Sequence, residues 1–129
     1  MNFHDGPWYH GSPVELTSLR KGTMVTPFQA VAKAFSHRPS ILTFSGDIDS
    51  VKHDGRVPGH LYVVSEDVPP EDLRVLPWTG ETHWEIQRDL RVELVGDVPV
   101  SDPPQLVGEE LRKAQEKNAD VGLGAFFSD

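Results

Sequence analysis

His10 stands in the run WYHGS (residues 8–12), and Glu85 in the run THWEIQ (residues 82–87). Trp8 and Tyr9 read as strand residues entering a core, whereas His10 and Gly11 are poor core filling. An imidazole there can exchange hydrogen bonds or protons near neutral pH. Glu85 lies between Trp84 and Ile86. In a strand it faces opposite to both neighbours, because side chains alternate. With Trp84 and Ile86 in the core, Glu85 points to solvent or into a cleft. In a cleft, a fixed carboxylate stabilises positive charge that develops during a reaction.

The other reactive side chains suggest less. His4, His10, His37, His53, His60 and His83 show no i,i+4 pair and no dense cluster, so no metal site is expected. There is no cysteine, which excludes thiolate sites and disulfides and fits a reducing cytoplasm, the compartment expected for this chain. Asp47, Asp49 and Asp54 lack the spacing of a calcium loop and read as a solvated face. No Gly-rich phosphate loop, dinucleotide fingerprint or G-x-S-x-G elbow occurs.

The 129 residues suffice for one domain with its own core. The net charge of −8 repels nucleic acid, and the pair Arg20–Lys21 and the scattered other cations form no basic patch against it. Nucleic acid is therefore not expected as a partner. No signal peptide is expected, and no apolar run reaches the roughly 18 residues of a membrane helix.

Several elements must position these residues. Residues 7–11 read as a strand ending in a turn at Gly11-Ser12-Pro13. Residues 14–22 read as a loop with one helical turn, and 23–27 (TMVTP) as a short strand. A helix is predicted over 27–36, with Thr26 as N-cap, Pro27 in the first position and an Ala-rich interior. Phe28, Val31, Ala32 and Phe35 share one face of it. Residues 45–60 read as a mobile polar loop and 60–65 as a buried strand, followed by a turn-rich stretch over 66–81. Residues 82–87 and 90–98 read as strands, the second alternating cleanly at Leu90, Val92 and Leu94. A linker (99–105), a surface helix (106–120) and a tail whose Phe126 and Phe127 dock on the body complete an α+β chain.

YHGS at a strand end, LRKG, TMVTP, QAVAKAFS, HLYVV and HWEI, in that order over residues 8–98, resemble the small ADP-ribosyltransferases. The layout is most similar to the compact bacterial enzymes that modify rifamycin antibiotics. The resemblance implies split antiparallel sheets around a central NAD cleft, with residues 1–100 as the catalytic domain and 101–129 packed on it. It implies transfer of ADP-ribose from NAD to an acceptor, a small molecule or a protein, through an oxocarbenium-like transition state. It further implies that His10, Gly11, Ser12, Met24, Thr26 and Phe35 bind NAD, with His10 on a ribose and Gly11 offering backbone to the nicotinamide amide. Glu85 and His10 would be catalytic, and Met24 falls where many members carry a tyrosine. Asp72 is the rival carboxylate, with Glu85 preferred because a strand holds it.

Two other readings stand beside this one. A binding module of the same fold without catalysis would meet a protein through an apolar surface around Trp78, Phe126 and Phe127. An NAD-dependent removal of a 2′-phosphate from RNA would need clustered arginines, which are missing. Loop 45–60 bears on the acceptor: a closed lid suits a small molecule, an open one a protein.

Overall fold

The computed structural model describes residues 6–79 and 82–117, apart from the side chain of Trp78. Among the described residues, nine strands and two α-helices follow in chain order: β1 Tyr9–Ser12, β2 Ser18–Leu19, β3 Met24–Val25, α1 Gln29–Phe35, β4 Leu42–Thr43, β5 Lys52–His53, β6 Gly59–Val64, β7 Leu73–Val75, β8 Trp84–Ile86, β9 Leu90–Val98 and α2 Gly108–Lys117. The chain is α+β. One antiparallel sheet has the order β1-β6-β9-β2, a second β3-β8-β7, and β4 pairs with β5. The first two sheets meet where Tyr9 and Thr26 exchange backbone hydrogen bonds of 2.7 and 3.0 Å.

The main core contains Trp8, Leu19, Val25, Tyr62, Trp84, Ile86, Leu90 and Val92. Trp8 and Trp84 meet edge to face, 5.2 Å between centroids. A smaller cluster under α1 holds Ala32, Leu61 and Val98. Strand β9 serves both clusters because its register against β6 shifts between Leu61 and Tyr62. An extra residue flips the side-chain parity, so Leu90 and Val92 face the tryptophans and Val98 faces α1. The clean alternation expected to include Leu94 stops at Val92, and Leu94 is exposed.

Glycines seat the helix. A Cβ on Gly11 would lie 1.8 Å from the Ala32 carbonyl oxygen, and one on Gly59 would lie 2.0 Å from Ser36 Oγ. Only a glycine lets the backbones come this close. Gly11 and Ser12 accordingly belong to β1 rather than to the expected turn.

The start of α1 also differs from expectation. Thr26 is bridged to Tyr9, so its backbone is extended, and the helix begins only at Gln29 with Phe28 as N-cap. Thr26 Oγ1 still accepts from the Phe28 amide at 3.1 Å. Residues 14–22 contribute β2 in place of a helical turn, and the turn-rich 66–81 stretch contains β7.

Loop 45–60 is tied down. His53 N donates to Pro104 O at 3.2 Å, and Leu106 N donates to His53 O at 2.7 Å. The His37 ring, fully buried, has its nitrogens 2.7 Å from the Val57 and Asp102 carbonyl oxygens and stacks on His53 at 4.7 Å. Ile41, Leu106 and Ala114 bring α2 onto the same body. Phe126, Phe127 and the Trp78 side chain lie outside the described residues. Among the described residues, no helix is long and apolar enough to cross a membrane.

Candidate functional site

A cleft of about 970 Å³ draws its walls from β1, the segment leading through β2 to β3, α1, and the β7–β8 sheet. His10, Gly11, Ser12, Met24, Thr26, Phe35 and Glu85 all line it. Asp72 does not. Its Oδ2 accepts from Arg88 Nε at 2.8 Å, and Arg88 also donates to Glu66 at 2.7 Å. The structure therefore separates the two candidate carboxylates: Glu85 on the cleft, Asp72 in a structural ion-pair network.

His10 is fixed by its own neighbour in the cleft. Its Nδ1–H donates to the Met24 carbonyl at 2.9 Å, since a carbonyl only accepts. Burial lowers its pKa against the raising effect of that hydrogen bond. A neutral ring with Nδ1 protonated leaves Nε2 as an acceptor, suited to a hydroxyl donor rather than to an anion.

His83 is a member of the site that sequence reasoning set aside as a lone histidine. It lines the cleft, is 5% exposed, and meets Phe35 edge-on at 5.0 Å. The Thr82 hydroxyl donates to Thr79 O at 2.8 Å, so it accepts from His83 Nδ1 at 3.0 Å. Burial, and then the field of His10, push the His83 pKa down to about 4. The signal was available in the strand period. His83, the residue just before β8, is two from Glu85 and shares the cleft face with it, while Trp84 and Ile86 share the core face.

Glu85 sits in the middle strand of its sheet, paired with Met24 on one side and Arg74 on the other. Its Oε1 accepts from Arg74 Nη2 at 2.7 Å and from Gln87 Nε2 at 3.3 Å. The side chain is 27% exposed, so a ligand can reach it.

Ser12 and Thr26 are buried and turn their oxygens to local amides, those of Val14 and Phe28. Gly11 lines the cleft, but its lack of a side chain is explained by α1 rather than by a ligand. Tyr62 steadies the cleft lip. Its hydroxyl donates to Val14 O and accepts from Leu16 N, both at 2.9 Å.

The cleft also gathers cations that are scattered in sequence. Arg20, Lys21, Arg38 and Arg74 line it, against the carboxylates Glu15 and Glu85. Only Arg74 is ion-paired among the described residues, whereas Lys33, Lys52, Arg88 and Arg91 outside the cleft all are. Arg38 holds a left-handed φ of 52° before Pro39, a conformation rare for a residue with a side chain. Low-dielectric walls focus this local positive field in a chain that is acidic overall. Among the described residues, no three His, Asp or Glu side chains are grouped to hold a metal.

No protein-family model, curated protein or solved structure matches the chain.

Proposed function

We propose that the protein is a mono-ADP-ribosyltransferase that uses NAD as its donor, with an ADP-ribosyltransferase-like arrangement of its sheets. The observation that carries this reading is the meeting of Glu85 and a neutral, tautomer-fixed His10 in one cleft. In the proposed reaction the bond between ribose C1 and the nicotinamide nitrogen breaks. Nicotinamide leaves with the electron pair, and the ribose gains oxocarbenium character, as in glycoside cleavage. The acceptor's nucleophilic oxygen or nitrogen then bonds to C1 and gives up its proton.

Glu85 stabilises the growing positive charge more than it stabilises bound NAD, which is what accelerates the step. His10 Nε2 accepts from a ribose hydroxyl. Arg20, Lys21 and Arg38 offer free cations to the diphosphate. Met24, Thr26 and Phe35 supply the nicotinamide wall. Loop 45–60 gives no residue to the cleft lining, which favours an acceptor group presented by a protein over a small molecule under a lid. Met24 in place of an aromatic favours the second reading, a fold kept for partner binding without turnover; a thioether packs on a ring less rigidly.

Nicotinamide release from NAD by the purified protein, beside Glu85→Gln, separates the two. The transferase reading expects slow hydrolysis by the wild type and a fall of roughly 10²-fold or more in the variant. Calorimetry should show that the variant still binds NAD. Absence of both turnover and NAD binding in the wild type overturns the reading.

A further inference from the structure

We infer that Arg74 is a positioning residue that sets the Glu85 carboxylate for transfer; this rests on the reading of Glu85 given above. The two residues are direct partners across β7 and β8. Arg74 Nη2 donates to Oε1 at 2.7 Å. Gln87 Nε2 reaches the same oxygen at 3.3 Å while donating to the Glu85 carbonyl at 2.9 Å. Oε1 thus has two donors, and Oε2 has none among the described residues.

A carboxylate held by one oxygen presents the other in a defined direction. The rotamer entropy of the side chain is then lost on folding and not during the reaction. The ion pair does little else. Arg74 is 66% exposed on its side-chain surface, and solvent screens such pairs heavily. Removing the guanidinium should therefore spare the fold and reach the chemistry.

The test compares Arg74→Ala and Arg74→Lys with the wild type, using NAD as the probe. Arg74→Ala is expected to lower kcat for nicotinamide release about tenfold, with KM for NAD nearly unchanged, because misplacement affects the transition state rather than binding. Arg74→Lys keeps the charge without the planar fork and should recover part of the rate. In parallel, the Hα–Hβ couplings of Glu85 should report one rotamer in the wild type and averaging in Arg74→Ala. Wild-type kcat in Arg74→Ala, or a loss confined to KM, overturns the assignment; the latter makes Arg74 a ligand contact instead. A wild type that releases no nicotinamide removes the transferase reading. The couplings still decide whether Arg74 sets Glu85, and one fixed rotamer in both proteins overturns it.

Discussion

At the scale of single residues, His83 shows how burial turns into pH dependence. Its folded pKa of about 4 lies below the ordinary 6.5, so the unfolded chain binds the proton more tightly. The contribution of neutral His83 to stability is complete above the ordinary value. It is lost as pH falls from 6.5 towards 4. The loss should reach about 2 kcal/mol at pH 5. Urea unfolding of wild type and His83→Gln at pH 8 and pH 5 measures it. The wild type should lose that much more than the variant, and equal losses would place the ring in solvent. His10 and Glu85 were legible in sequence because a non-core residue beside core aromatics stands out. His83 was legible only through the strand period, as the residue two before Glu85 with the core residue Trp84 between them. The gathering of cations was not legible, since Arg20, Arg38 and Arg74 lie far apart until the chain folds.

At the scale of elements, the glycine seat under α1 makes a sharp claim. Gly11→Ala puts a methyl group within 1.8 Å of a backbone oxygen, so the helix or β1 must move. Destabilisation of roughly 1–3 kcal/mol or more is expected, read from the urea midpoint. A midpoint equal to wild type would mean that α1 rides loosely on the sheet. Because α1 also carries Ala32 and Phe35 into the cleft, its displacement reshapes the ligand wall. Strands β6, β8 and β9 were legible from β-branched and aromatic residues in alternation. Strand β7 was masked by the prolines on either side, and β2 by its length of two residues, which carries no period. The start of α1 was misplaced because Thr26 and Pro27 look ideal for a helix end locally. A backbone bridge to Tyr9, far away in sequence, overrides that preference.

At the scale of the whole molecule, the segment 101–117 is part of the body. It supplies the carbonyl oxygens of Asp102 and Pro103 to the buried His37 and His53 rings. It also supplies the backbone partners Pro104 and Leu106. Ending the chain at residue 100 would leave these polar groups unpaired, at about 1–3 kcal/mol each, against a total stability of about 5–15 kcal/mol. Thermal unfolding followed by circular dichroism should show that the shortened chain lacks a cooperative transition. A transition at the full-length midpoint would make the segment an appendage. The α+β class was legible from the order of elements. The split into antiparallel sheets was expected only from the family resemblance; which strands share a sheet was not legible, because pairings such as β2 with β9 join residues far apart in sequence.

The indole pair in the core has one more consequence. Trp84, the first residue of β8, separates His83 from Glu85, and its ring lies edge-on to Trp8 on the face opposite to theirs. Two indoles in this contact couple their electronic transitions, giving a near-ultraviolet signal that depends on their mutual angle. The protein thus carries its own optical gauge of where β8 stands, readable without a label and without touching a group in the cleft.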